Sequence, residues 1–336
     1  MAVHRCGDHL DLIDLDLPLE GFRKFISSWL YTTPGIAVVV DPGPSATISE
    51  LVTQLKQKGV DHVDYILLTH IHADHAGGAG LLVEQYPEAR IICHRRGIRH
   101  MIDPQKLWEG TQKTLGAVAT AYGEIFRVPE DSIGFEDRIQ QGDLVIEAFE
   151  TPGHAPHHLC YRIGDILFAG EVAGVIYPFE DGGLYQRPAT PPVFDYEISR
   201  RSLIKAAALQ TSLVCIGHYG CRRDRDSLFS SALDQMAHWL AIVKEANDKT
   251  PEMPEEDLFA DLLKRDPGLA RFSDLPQDIQ ARERYFSANS IRGMKDYLLR
   301  KRKQHPGNER LSIKKVRRGK YPEKVSIFFI LAPNLL

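Results

Sequence analysis

The sequence predicts an α/β fold of layered strands and helices, followed by a helical C-terminal element. Three observations carry this. Residues 36–93 alternate short apolar or β-branched runs with helically spaced ones, the pattern of layered α/β domains. Strand-like runs recur as far as residue 216, and none appears from about 223 to 303. The chain has 336 residues, enough for one large domain and an appendage, since single cores stop growing near ~250–300 residues.

In order along the chain, residues 36–40 (IAVVV) read as a strand ended by the turn Asp41-Pro42-Gly43-Pro44. Residues 48–58 place Ile48, Leu51, Val52 and Leu55 on one helical face, and Gly59 closes that helix. Residues 63–69 read as a buried strand, 79–85 as a helix stopped by Pro87, and 90–93 as a strand. Residues 95–122 are mixed and mainly helical. Residues 143–151, 159–163 and 166–169 read as strands, the last two joined by a tight Gly164-Asp165 hairpin. A helix over 197–209 and a strand over 212–216 follow. The segment 174–196 reads as a long irregular loop rich in Gly, Pro and aromatic residues.

From Leu228 to Val243 the apolar residues trace one helical face, and helical patterns recur at 255–263 and 277–302. The expected organisation is therefore a catalytic part over 1–222, a helical element over 223–303, and a basic then apolar tail over 304–336. The element is expected to serve stability or homodimerisation, the alternative being that it covers the active-site mouth and supplies substrate contacts.

Net charge is −4, so no overall field draws nucleic acid or acidic lipid. The basic runs Arg300–Lys303 and Lys314–Lys320 are expected to be solvated tail. Five cysteines form no Cys-x-x-Cys pair, which argues against a disulfide framework or zinc ribbon. No leader and no transmembrane segment is expected, and a reducing, cytoplasmic setting fits the thiols.

The segment Leu67-Leu68-Thr69-His70-Ile71-His72-Ala73-Asp74-His75-Ala76-Gly77-Gly78 carries the chemistry. It leaves the end of an apolar strand. His70 and His72, two apart in extended chain, point to one side. Asp74 and His75 follow as the chain turns into a helix. Imidazoles and a carboxylate so close together form a metal-ligand pattern. Three more candidates sit at strand ends or the turns after them: His154 in Thr-Pro-Gly-His, Glu171 after Gly170, and His218 after Gly217. Strand ends are where separate segments of an α/β fold converge on a site.

In these motifs, and in the Asp41-Pro42-Gly43 turn, residues 1–222 resemble the metallo-β-lactamase superfamily. The resemblance implies a four-layer αβ/βα sandwich. It implies one metal on His70, His72 and His154, a second on Asp74, His75 and His218, and an acid, here Glu171, bridging them. That acid is usually Asp in the family, so the longer arm is a departure that bears on how the second site fills. Two divalent ions are implied, zinc first, with iron and manganese compatible. The implied activity is hydrolysis of a small ester, thioester or lactone, as in the glyoxalase II and lactonase-like branches, with Asp74 orienting the nucleophile or passing a proton. A phosphodiesterase or nuclease, and an iron-dependent redox enzyme, are the competing readings.

Asp41 is expected either to shape its turn alone or to orient a metal-bound histidine. Tyr177, Phe179, Tyr185 and Tyr219 are the expected substrate contacts, the first three as an aromatic wall. His62, His94, His100, His157 and His158 fall outside the motif positions and are expected to be ordinary histidines. Cys221 is expected to be structural.

Overall fold

A computed structural model of the chain describes residues 2–304. The first sheet has seven strands in chain order: β1 (Val3–Gly7), β2 (Leu10–Asp14), β3 (Ser27–Thr33), β4 (Ile36–Val40), β5 (Tyr65–Leu67), β6 (Arg90–Ile92) and β7 (Ile133–Gly134). The pairs from β1 to β4 are antiparallel, and those from β4 to β7 parallel. The parallel pairs are bridged by α1 (Ile48–Gln57), by α2 (Ala73–Ala76) with α3 (Ala79–Gln85), and by α4 (Arg95–Ile102), α5 (Gln105–Leu115) and α6 (Ala117–Tyr122).

The next strands are β8 (Arg138–Gln141), β9 (Leu144–Glu150), β10 (Leu159–Ile163) and β11 (Ile166–Phe168). A separate hairpin, β12 (Val175–Pro178) with β13 (Leu184–Arg187), interrupts them before β14 (Leu213–Cys215) and β15 (Cys221–Arg222). The second sheet runs β15-β14-β11-β10-β9-β8. Helix α7 (Tyr196–Ala208) precedes β14, and α8 (Arg225–Lys249), α9 (Glu255–Arg265) and α10 (Gln277–Gln304) complete the described chain.

Alternation along the strands explains the layering. Val38, Val40, Tyr65, Leu67 and Ile92 meet Leu159, Tyr161, Phe168 and Leu213 in a core between the two sheets. Their neighbours Ala37, Val39, Ile66 and Ile91 face the other way and pack with Leu51, Leu55, Ala79 and Leu82. On the second sheet Cys160, Leu167 and Val214 turn outward and pack with Leu203 of α7 and with Leu228, Trp239, Leu258 and Met294 of the C-terminal helices. The result is helix, sheet, sheet, helix, the expected αβ/βα sandwich. Strands covered on both faces read as unbroken apolar runs, which is why IAVVV and YILL stood out.

The expected helices at 48–58, 79–85, 197–209, 255–263 and 277–302 agree with α1, α3, α7, α9 and α10 within a few residues. The expected strand at 63–69 is shorter, Tyr65–Leu67, because the chain leaves the ladder to place His70. The loop expected over 174–196 contains the β12–β13 hairpin instead. Its tight turn was hidden by the surrounding Gly and Pro. Residues 305–336, which hold Lys314–Lys320 and the final apolar run, lie outside the described residues. No described helix is long and apolar enough to cross a membrane.

Candidate metal centre

The chain leaves β5 through Thr69 and His70 to His72, which caps α2 in an extended conformation (φ −66°, ψ 152°). Helix α2 then carries Asp74 and His75. The second sheet delivers the rest: His154 from the turn after β9, Glu171 after β11, and His218 after β14. Two glycines make the approach fit. Gly170 has φ +52°, and a Cβ there would meet His158 Nε2 at 2.5 Å; at Gly217 a Cβ would meet His75 Cε1 at 2.8 Å.

Donor atoms from these stretches converge in two groups. In the first, His154 Nε2 lies 2.9 Å from His72 Nδ1 and 2.6 Å from Glu171 Oε2, and His70 Nε2 lies 3.4 Å from the same oxygen. In the second, His75 Nε2 and His218 Nε2 are 3.2 Å apart, and Asp74 Oδ2 is 3.8 and 3.4 Å from them. Glu171 touches both, because its Oε1 is 3.3 Å from His218 Nε2. Within each group the ligand atoms all lie within 4.8 Å of one another.

In four of the five imidazoles the remaining ring nitrogen is held from behind. His75 Nδ1 meets Asp41 Oδ2 at 3.1 Å, and Asp41 also accepts from Thr69 N at 2.8 Å and Thr69 Oγ1 at 2.6 Å. His218 Nδ1 donates to Phe25 O at 2.8 Å, and its ring stacks on Phe25 with centroids 4.2 Å apart. His154 Nδ1 lies 3.2 Å from Ala189 O, and His70 Nδ1 lies 3.1 Å from Thr69 Oγ1. Fixing one nitrogen sets the tautomer and aims the other, as partners of metal-bound imidazoles do.

The electrostatics divide the imidazoles. Burial, then the neighbouring imidazoles, holds the pKa of His70 well below the usual value, and burial then His154 lowers that of His72 to about 4. Both rings are therefore neutral, with lone pairs free. Burial opposes the charge on His75, but Asp74 and then Asp41 outweigh it and raise its pKa to about 9. Burial alone would raise Asp74; His75 and His218 instead bring it to about 2.

The residues fit a pair of cations. His70 Nε2 is fully buried and has no hydrogen-bond partner, an arrangement that costs free energy unless something electrophilic occupies the cluster. Nitrogen and oxygen donors at bond lengths of about 2.0–2.1 Å round a tetrahedral zinc lie ~3.3 Å from each other. The spacings 3.2, 3.3 and 3.4 Å above are close to that value.

All seven expected ligands thus come together. The four aromatic residues expected to touch substrate do not join them. Tyr185 is fully buried beside Phe272, and Tyr177 packs on the second-sheet core against Phe179. Phe179 lies 3.9 Å under the Arg271 guanidinium, and Tyr219 sits in the core between the sheets. Large rings gained more by completing these cores than by lining a wet site. The cluster opens instead on a cavity of about 890 Å³ whose walls come from α5, residues 189–198 and α10.

His158, expected to be ordinary, is fully buried; its Nε2 accepts from Glu171 N at 3.1 Å and its Nδ1 lies 2.9 Å from Thr151 Oγ1. It fixes the backbone that presents Glu171. Its one sequence signal was its place at the mouth of β10, on the same face as Cys160.

Comparison with known proteins bears on this geometry. The family model of the metallo-beta-lactamase superfamily matches residues 21–218. A metallo-beta-lactamase fold-containing protein of Sulfurisphaera tokodaii is 30% identical over 211 residues, covering 60% of this chain and 76% of that protein. A hydroxyacylglutathione hydrolase of Stenotrophomonas maltophilia is 27% identical over 185 residues, 55% of this chain and 56% of the relative, so the chain spans little more than half of that enzyme. Among solved structures, a metallo-beta-lactamase family protein of Thermus thermophilus superposes with a TM-score of 0.59 at 19% identity, covering 88% of this chain and 95% of that one. The fold shared with it therefore extends past residue 222 into the C-terminal helices.

Proposed function

Because the chain belongs to the metallo-β-lactamase superfamily and is a metal-dependent hydrolase, we propose that it cleaves a small ester, thioester or lactone at a centre of two divalent cations. His70, His72 and His154 would hold one, Asp74, His75 and His218 the other, and Glu171 both. Zinc is the ion that this nitrogen-rich set suits best. The observation that carries the reading is one carboxylate, Glu171, lying within reach of both donor groups at the floor of a cavity large enough for a substrate.

Bound there, the two cations would supply Lewis acidity that lowers the pKa of water and stabilises developing negative charge on a carbonyl oxygen. The protein's own groups do the rest. Asp74 lines the cavity and is held ionised, so its carboxylate can take a proton from the attacking water and return it to the leaving group. Asp41 and the Phe25 and Ala189 carbonyls keep the imidazoles in register without moving. Phe25 and Ala189 also line the cavity and exclude water around them. The hydroxyacylglutathione hydrolases among the relatives, whose name specifies an acylated glutathione, favour an acyl substrate over a phosphodiester.

The test is His72→Ala. It is expected to lose hydrolysis of a panel of thioesters, lactones and aryl esters and to lose metal in elemental analysis. Full activity with unchanged metal content would reject the ligand assignment.

A further inference from the structure

Behind the metal centre the cavity meets buried charge that the hydrolytic reading does not use. Arg187 at the end of β13, and Arg282 and Glu283 on α10, are 3%, 4% and 0% exposed. Glu283 accepts from Arg187 Nε through one oxygen and from Arg282 Nε through the other, the latter at 2.8 Å. Two guanidiniums thus share one carboxylate as hydrogen-bond partner, and the further offset to Arg187 comes from the more distant charge of Glu171, in a place where burying charge is costly.

Arg282 disposes of its share locally. Its Nη1 donates to Gly21 O at 2.7 Å and Arg23 O at 3.1 Å, and the guanidinium lies 4.2 Å from the Phe25 ring centroid. Arg187 is held less completely. Its guanidinium lies 5.6 Å from the Phe286 ring centroid and its Nη1 donates to Pro188 O at 3.3 Å, while Nη2 makes no hydrogen bond to any described residue and Arg187 lines the cavity. Glu171 does not complete it, because both of its oxygens face the imidazoles of the donor cluster.

A second wall of the same cavity is mainly apolar or small, with Lys106 of α5 and Arg96 of α4 as its basic members. Leu107, Gly110, Thr111, Thr114 and Leu115 recur at helical spacing along α5 and line it, and no residue of that helix is fully buried. Leu107 and Leu115 also pack against the first-sheet core, so the stripe is shared between core and cavity.

We propose that the cavity selects an anionic acyl substrate: a carboxylate on the acyl group accepts from Arg187 Nη2 while the scissile carbonyl lies at the metal centre and the methylenes between them run along α5. This rests on the hydrolase reading above. The carboxylate is a spectator; no bond to it forms or breaks. An ionic hydrogen bond to a guanidinium of this kind favours the charged substrate by about ten- to a hundredfold.

The test uses two aryl esters that differ by one group, p-nitrophenyl butyrate and mono-p-nitrophenyl succinate, with the metal-loaded full chain. The succinate is expected to be preferred at least tenfold in kcat/KM, mainly through KM. In Arg187→Met the ratio of the two esters should fall towards one, and Arg187→Lys should restore part of it. Equal use of both esters by the native protein, or a preference that survives Arg187→Met, overturns the proposal; the second outcome would assign the preference to the cations or to Arg96 and Lys106, which line the same cavity. Calorimetric binding of succinamate against butyramide, which needs no turnover, reads the same contact. If neither ester is cleaved but succinamate still binds more tightly than butyramide only when Arg187 is present, the anion site stands and the hydrolase reading fails.

Discussion

The floor of the cavity and its walls are held in place by different forces. On the floor, the imidazoles of His70, His75, His154 and His218 each have a second ring nitrogen close to a carboxylate, hydroxyl or carbonyl. Short polar contacts of this kind fix direction to within a fraction of an ångström. The walls are different. Helix α5 has no fully buried residue, and α10 is tied to the rest by the Arg187–Glu283–Arg282 cluster together with packing of Ile279, Ile291 and Met294. On the function proposed above, the floor would hold the cations and the walls would select the substrate. Substitutions should therefore separate metal loading from stability and from substrate choice.

The largest effect on the wall side should come from Glu283→Ala. Two buried guanidiniums lose their shared carboxylate, and a loss of about 3–5 kcal/mol in unfolding free energy is expected. Denaturant unfolding measures it. A loss below about 1 kcal/mol would mean that apolar packing alone holds α10 to β13.

On the floor, Asp41→Asn keeps a residue tolerant of the positive φ at that position, 53°. It weakens the partner of His75. Metal affinity at the group containing His75 should fall about ten- to a hundredfold. Competition with a chelator reads the affinity. Unchanged affinity would break the contrast, since the polar contacts behind the imidazoles would then not be setting the floor.

The smallest effect is expected at Gly110→Leu. A Cβ at Gly110 meets nothing within 4 Å, and the residue lines the cavity from the middle of α5. Removing a helical glycine should stabilise by roughly 0.5–1 kcal/mol. The filled volume should lower the ratio of long-chain to acetyl ester hydrolysis. A gain in stability with no change in that ratio would move the acyl group off α5.

Much of the floor was readable in advance because its ligands come from short motifs. His70, His72, Asp74 and His75 lie within six residues of one strand end, and His154, Glu171 and His218 each follow a turn or glycine after a strand. The contact of Asp41 with His75 decides one of the two readings left open for that residue, in favour of orienting the ring. The walls were not readable. Tyr177, Phe179, Tyr185 and Tyr219 were expected there because they are aromatic and follow the Glu171 or His218 strand. The β12–β13 hairpin turns the first three into packing against the second-sheet core and the C-terminal helices. Arg187 was passed over because its partner Glu283 lies 96 positions away, and no local pattern marks such a pair.

By itself the sequence determined the layered α/β class, the helical C-terminal element and the set of candidate metal donors. Those depend on periodicity and on residue types at strand ends, which act over a few positions of chain. Tertiary structure alone decided that His158 holds the backbone of Glu171, and that α5 and residues 189–198 join α10 round the cavity. Those depend on how two sheets stack and where distant segments meet, and a one-residue change of register would have sent the same side chains to the opposite face.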